Sequence, residues 1–279
     1  MTVRIVTDSS CDLPQNLADA LGITIVPLSI RFGDDEFIDR TTITADEFWA
    51  KCSASPVLPE TAAPSPGQFE QAFRELKADG ASAVVVIALS SSLSATMQSA
   101  ELAARAVAGD IDVRIVDSRN ATMGLGLIVL ECAELARGGA SADEVVARAN
   151  NIIPRVKVFG ALDTLENLKK GGRIGGAKAL MASALSIKPI VEVRGGLIEE
   201  AGKQRTRSKA LGFLAEKLRE HAGHVDRLSV LHAQCSDVDS LLAMLKDTYT
   251  GDIVIADIGA VIGTHTGVGT IGIAFIVSQ

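Results

Sequence analysis

The possible folds are narrowed most by three short β-branched runs, residues 3–6, 84–87 and 113–116, that alternate with helical patterns along the first half of the chain. Each run is too short for a helix, and the spacing between runs suits crossover helices, so these segments predict parallel strands of an α/β unit. The helix starts are well marked. Thr44 with Glu47 and Ser141 with Glu144 are capping boxes, in which the side chain of each partner meets the free backbone N–H of the other. A third start combines Ser65 as cap, Pro66 at the first helical position and Gln68 reaching back. It predicts a helix over residues 67–77, preceded by a loop over 59–64.

The pattern changes after Asn150. Next come a short strand at 156–159, a helix through Leu165 and Leu168, a Gly-rich turn, and extended chain around 187–193. Gly195-Gly196, between Glu192-Val193-Arg194 and Leu197-Ile198-Glu199, signals a hairpin, and hairpins belong to antiparallel sheets. A helix over 208–221, a strand near 228–231, a helix over 239–245 and two closing strands follow. With 279 residues the chain exceeds the common size of one domain. The expectation is two lobes with a cleft between them: an α/β/α lobe with a mainly parallel sheet over residues 1–152, and an α+β lobe with a mainly antiparallel or mixed sheet over 153–279.

Composition removes several functions. Hydrophobic residues make up 47% of the chain and aromatics only 4%, so the apolar content is largely Ala, Val, Ile and Leu, suited to a big aliphatic core. Net charge is -7 with no long run of Lys and Arg, which argues against nucleic acid as a partner. Cys11, Cys52, Cys132 and Cys235 lack the paired spacing of disulfide scaffolds or zinc sites and read as reduced core thiols. The chain runs from Met1 straight into a strand pattern and has no apolar stretch of about 18 residues, so a cytoplasmic protein without a transmembrane segment is expected, transient membrane contact staying open.

Nucleotide motifs fail on context. Gly267-Val268-Gly269-Thr270-Ile271-Gly272 matches G-x-G-x-x-G, but the seven residues 273–279 leave no room for the helix and second strand of a dinucleotide fold. In the stretch 171–178, Ala177 separates Gly176 from Lys178, so no P-loop is present. His221 and His224 read as solvated helix-end residues. The turn Ser90-Ser91-Ser92-Leu93-Ser94-Ala95-Thr96 is not a nucleophile elbow, yet it follows a buried strand and opens a helix. Its hydroxyls, with Ser92, Ser94 and Thr96 as candidates, either only cap that helix or meet an anion there. Asp8-Ser9-Ser10 closes the first strand at its carboxyl end, where ligands of open α/β sheets gather, so Ser9 is a further candidate. Arg173 is read either as a structural cation at a helix end or as part of a site. His265, between small residues, is expected to keep its ring accessible.

Five segments together resemble the DegV family in order and spacing. They are Val6-Thr7-Asp8-Ser9-Ser10-Cys11-Asp12-Leu13-Pro14, Thr61 before Pro64-Ser65-Pro66, the turn 89–99, the stretch 164–189 with Leu168-Lys169-Lys170-Gly171-Gly172-Arg173-Ile174, and residues 263–269. The resemblance covers essentially the whole chain. It implies an α/β lobe and an α+β lobe with a lipid between them, and no cofactor. The lipid would be a long-chain fatty acid, held as by the binding subunit (FakB) of bacterial fatty acid kinase and presented to a separate ATP-dependent subunit for acyl-phosphate formation. The chain alone would then catalyse nothing. By position, Thr61 and Ser94 match the hydroxyls that grip the carboxylate, and Arg173 and His265 match residues near the headgroup and cleft mouth. Lys203-Gln204-Arg205-Thr206-Arg207 resembles the family's basic stretch, with Arg205 expected to dock the kinase. Where the family commonly has Thr-Ser-Gln-Pro and Ser-Gly-Thr, this chain has Thr61-Ala62-Ala63-Pro64 and Ser94-Ala95-Thr96. Two other functions stay open: a fatty acid store or sensor without a kinase, and a serine hydrolase using Ser94 with His265.

Overall fold

The structure is a computed structural model that describes residues 2–55 and 57–279, with 182–186 described by their backbone alone. From the N-terminus, β1 (Val3–Asp8), a 3-10 turn (Ser9–Cys11), α1 (Gln15–Leu21) and β2 (Thr24–Val26) make the first parallel crossover. A small antiparallel sheet follows. Strand β3 (Ser29–Phe32) turns through Gly33-Asp34 into β4 (Asp35–Ile38), and after α2 (Ala45–Ala54) the strand β5 (Glu60–Ala62) pairs with the other edge of β3. Helix α3 (Pro66–Ala78), β6 (Ala83–Ala88), α4 (Thr96–Ala106), β7 (Asp112–Asp117), α5 (Thr122–Arg137) and α6 (Ala142–Ile152) come next. The parallel sheet runs β2-β1-β6-β7. All three predicted capping boxes form.

The rest of the chain builds a third, larger sheet. Its elements are β8 (Val156–Ala161), α7 (Glu166–Lys170), a 3-10 segment (Gly175–Ser186), β9 (Lys188–Arg194), β10 (Leu197–Gln204), α8 (Arg207–Arg219), β11 (Val225–His232), α9 (Val238–Lys246), β12 (Ile253–Asp257), α10 (Ala260–Thr266) and β13 (Ile271–Val277). Strand order is β10-β9-β8-β13-β11-β12, antiparallel except for the β11–β12 pair. The architecture is thus the expected mixed α/β one, a parallel sheet followed by a mixed sheet. The Gly195-Gly196 hairpin forms, with φ of 62° and 87°, the left-handed pair that a two-residue turn needs.

One helix joins the two sheets. The run Met123 to Leu130 on α5 is wholly buried, because one face packs on β1 and β6 and the other on β8, β11 and β13. A helix apolar all round has no solvent side to give, so it belongs between layers. The alternation of β13 serves both sides of its sheet: Ala274 and Ile276 join the core around α5, while Ile273 and Phe275 face α8 and α9. The layers approach closely where α5 carries glycine. A methyl group on Gly124 would fall 2.4 Å from Val158 Cγ2, and one on Gly126 would fall 2.8 Å from the Cys11 carbonyl oxygen.

Two local expectations are corrected. Residues 59–64 are not all loop, since Glu60–Ala62 is a strand whose Thr61 sits opposite Ile30. Three residues are too few to show a period, and only the β3 edge makes them a strand. The segment around His265 is helical rather than open: α10 holds it half-buried. His221 lies beyond the end of α8, with its ring tilted against Phe275 at 5.5 Å. All four cysteines are free; Cys11 and Cys132 are buried, Cys52 and Cys235 half-buried.

A Gly126→Ala variant tests the close approach of α5. Alanine raises helix propensity by about 1 kcal/mol, but overpacking against a backbone carbonyl costs about 1–3 kcal/mol. The expected result is a lower urea midpoint with an unchanged slope; a raised midpoint would mean that the helix and turn move apart freely.

Candidate functional site

A cavity with about 830 Å³ of empty space, its opening to solvent included, lies between the carboxyl ends of the parallel strands and one face of the mixed sheet. The position follows from the topology, since loops after parallel strands diverge and leave a crevice. Leu28, Leu89 and Leu93 reach it from the loops after β2 and β6, and Val158, Val191 and Leu231 from the mixed sheet. Val261 and Ile262 of α10 close a further side. The wall is mostly apolar, although Thr122, Glu192, Thr266 and Thr270 also line it, and it suits a slender apolar ligand.

At one end the apolar wall gives way to Thr61, Ser94, Arg173 and His265. Thr61, Arg173 and His265 also line a second, polar basin with Glu60, Asn167 and Lys170, so these three residues form a gate between an oily channel and a wet mouth. Thr61 faces inward because it alternates with exposed Glu60 and Ala62 on β5. Ser94 precedes α4, and its Oγ accepts the Thr96 N–H at 3.2 Å and lies 2.9 Å from Thr96 Oγ1. Arg173 donates from Nε to the Leu93 carbonyl at 3.1 Å and from Nη1 to the Gly171 carbonyl at 2.6 Å. It makes no ion pair among the described residues, so its charge is left for whatever occupies the gate.

The His265 ring decides which way the Thr61 proton points. Nε2 lies 3.0 Å from Thr61 Oγ1, while Nδ1 is shut from solvent without a partner. Nδ1 faces the Gly171 α-carbon, where an added methyl group would fall 2.3 Å away. An N–H there would oppose a C–H, whereas a lone pair is weakly attracted to one. The proton therefore sits on Nε2 and is donated to Thr61, which leaves the Thr61 hydroxyl free to donate into the cavity. Burial first, and the nearby Arg173 cation second, depress the His265 pKa to about 4, so the ring is neutral. The gate thus offers hydroxyl donors and one guanidinium, the complement of a carboxylate.

The structure brings Thr61, Ser94, Arg173 and His265 together and leaves other candidates outside. Ser9 does not line the cavity: its hydroxyl is bound to Asp39 and its Oγ accepts the Leu28 N–H at 3.1 Å, so it braces a lining residue. Ser92 is exposed, away from both cavities, and Thr96 is buried behind Ser94. Arg205 is exposed and lines neither space. No hydrogen bond joins Ser94 to His265 among the described residues, so the hydrolase pair is not assembled. Ala62 and Ala95 are exposed, and with Ala63 they stand outside the cavity wall. Asn167 escaped the sequence reading. Its Nδ2 donates to the Thr264 carbonyl at 3.1 Å and ties α7 to α10 beside the mouth, and nothing local in the sequence announces that contact.

Fold and gate together define an α/β protein whose parallel and mixed sheets flank an apolar cavity that ends in hydroxyls and one guanidinium. The chain matches the family model described as "Uncharacterised protein, DegV family" over residues 2–278, and it belongs to the DegV family. A DegV domain-containing protein of Deinococcus radiodurans is 38% identical over 280 residues, covering 98% of each chain. One of Streptomyces coelicolor is 39% identical, covering 97% of each. Among solved structures, a fatty-acid-binding DegV family protein of Thermus thermophilus superposes with a TM-score of 0.91 at 34% identity, over 99% of this chain and 100% of that one. A stearic-acid-binding protein of Eubacterium ventriosum gives 0.90 at 26% identity, over 99% and 98%.

The histidine assignment has a direct test. Imidazole ¹⁵N shifts of His265 should report protonated Nε2 and bare Nδ1, with a titration midpoint near 4 rather than at 6.5. Between those values the unfolded chain binds the extra proton and the folded one does not, so this group's contribution to stability is full above the higher value and is lost as pH falls through the lower. A midpoint near 6.5 would mean a solvated ring and would remove the argument for the Thr61 proton.

Proposed function

We propose that this protein binds one long-chain fatty acid, with the tail in the aliphatic channel and the carboxylate at the gate, where Thr61 and Ser94 donate to it. The observation that carries this reading is the meeting of a mostly apolar cavity with two hydroxyls and an arginine that makes no ion pair among the described residues. Burying about fifteen methylenes at about 0.8 kcal/mol each gives a gross driving force of order 12 kcal/mol before the entropy of association. A buried anion without partners would undo that gain, and the gate residues supply its hydrogen bonds. Relatives of the same fold that are described as fatty-acid-binding support the ligand class.

We propose further that the carboxylate is presented through the polar mouth to a separate ATP-dependent kinase subunit in the cytoplasm, which makes the acyl phosphate. Hydroxyl donors leave a carboxylate oxygen free for attack on a phosphorus brought from outside. The chain itself has no phosphate-cradling motif. Arg205, exposed beyond the end of β10, is the residue assigned to docking that partner. A store or sensor without a kinase remains the second reading and shares the same pocket.

Mass spectrometry of an organic extract of the purified protein should find a fatty acid near one per chain. Thr61→Val with Ser94→Ala should weaken binding by about a hundredfold, since hydrogen bonds to a charged group contribute about 1.5–3 kcal/mol each. A folded protein that carries and takes up no acid would end the binding reading. Bound acid that no added kinase with ATP converts to acyl phosphate would leave the store or sensor.

A further inference from the structure

We propose that Asp12 is the positioning residue of the lipid site: its carboxylate joins the amino end of α10, which carries His265, to the first turn of α5, and the join loosens when the carboxylate takes up a proton. Neither helix has a side-chain cap of its own. Asp12 Oδ1 accepts the Gly259 N–H at 2.9 Å, and Oδ2 accepts the Thr122 hydroxyl at 2.6 Å. One buried side chain thus serves the starts of two helices that are far apart in sequence, and the positive ends of both dipoles favour its negative charge. Asp12 and Thr122 also hold left-handed backbone, with φ of 50° and 48°. For a β-branched threonine that conformation is strained, and it persists where the surroundings hold it.

Both helices furnish cavity wall. Ala121 and Thr122 line it at the start of α5; Val261, Ile262, His265 and Thr266 line it from α10. A shift of α10 therefore moves the imidazole that orients Thr61. Beyond this junction α10 is held by the Asn167 bond to the Thr264 carbonyl and the His265 contact with Thr61 toward its far end, by Phe48 and Trp49 against Gly263 at its middle, and by the core around Ala260 and Val261.

The junction is sensitive to protons. Burial, outweighing the bonds from Thr122 and Gly259 and the charge of Arg40, raises the Asp12 pKa to about 7. Around Asp12 stand Arg40 and Asp39 from the segment after β4, and Asp8 and Cys11 from its own turn. Arg40 also faces Asp8 and Asp39, whose pKa values are likewise raised by burial. From α5 and α10, the groups in contact with the carboxylate are the Thr122 hydroxyl and the Gly259 amide. A proton on Oδ1 would oppose the Gly259 N–H, and one on Oδ2 would force the Thr122 hydroxyl to turn from donor to acceptor. Either way the charge-assisted character of both bonds is lost.

Amide hydrogen exchange on the lipid-free protein tests the junction directly. Corrected for intrinsic rates, protection of residues 259–266 should be about tenfold higher near pH 8 than near pH 6, the scale of a charge-assisted bond reduced to a neutral one. In Asp12→Asn, whose amide tolerates left-handed backbone, protection should be low and flat across that range. Thr122→Val, which removes one donor to the ionised form, should move the midpoint upward, and it decides the matter if the asparagine variant fails to fold. A pH profile unchanged by Asp12→Asn would assign the titration to Asp39 or Asp8 and overturn the proposal, as would an unmoved midpoint in Thr122→Val. The effect on ligand rests on the fatty-acid reading: a fluorescent long-chain acid should leave severalfold faster near pH 6 than near pH 8, and at one fast rate from Asp12→Asn. If the wild-type protein binds no such acid, that reading fails by itself, and amide exchange still decides the role of Asp12.

Discussion

The constraint on which the rest of the structure depends is the burial of α5 between two sheets. A helix with no exposed face over Met123 to Leu130 must be matched on both sides, and the glycines at 124 and 126 let β8 and the turn after β1 approach its backbone. Its contacts make the parallel and mixed sheets share one core, in which Leu127 and Met123 belong with Ile5 and Val85 as much as with Val158 and Ile276. Helix α6 ends at Ile152 and β8 opens the mixed sheet at Val156, and the apolar core runs across that point without a break. The cavity is what this arrangement leaves open beyond the first turn of α5, where the strand ends and loops diverge.

At the gate, chemistry follows from the low polarity of the walls. A carboxylate drawn into an aliphatic channel needs donors, but a full set of basic residues held there without ligand would be costly in the empty protein. Hydroxyls avoid that cost because they can bond one another or the histidine when the site is vacant. Ser94 is within hydrogen-bond distance of Thr96, and Thr61 of His265. Arg173 is the one cation at the gate among the described residues, and two backbone carbonyls hold it in place. The neutral histidine adds direction without charge.

Much of the fold was legible because its signals are local. Capping boxes at Thr44, Ser65 and Ser141, the Gly195-Gly196 turn and the β-branched runs each depend on a few adjacent residues, and each became the element expected. What could not be read depends on partners distant in sequence. Glu60–Ala62 is a strand only because β3 offers an edge, and α10, rich in Gly and Thr and without a capping side chain, is a helix only where Asp12, Asn167 and Trp49 hold it. One local cue was missed: Gly33-Asp34 between two apolar runs is a hairpin signal of the same kind as Gly195-Gly196. The gate residues were reached through resemblance to a family; composition and spacing alone left Ser9 and Ser92 level with Ser94. Sequence places all three at strand ends, and only packing turns Ser9 toward Leu28 and Ser92 toward solvent.

Charge is distributed unevenly in a way that separates support from binding. On one side of the cavity, Asp8, Asp12 and Asp39 are buried around Arg40, and their oxygens are taken largely by backbone amides and hydroxyls of the strand ends. Arg173 and Lys170 stand at the gate and mouth. The mouth also holds Glu60, itself paired with Arg31, so in a chain of net charge -7 it keeps a small local excess of basic charge. Carboxylates bound to amides stiffen the floor of the crevice without competing for the gate cation, because their nearest cation is Arg40. Lys170 and Arg173 are therefore the cations available to an anion at the mouth, Glu60 being held by Arg31, and the buried acidic groups shape the site rather than fill it.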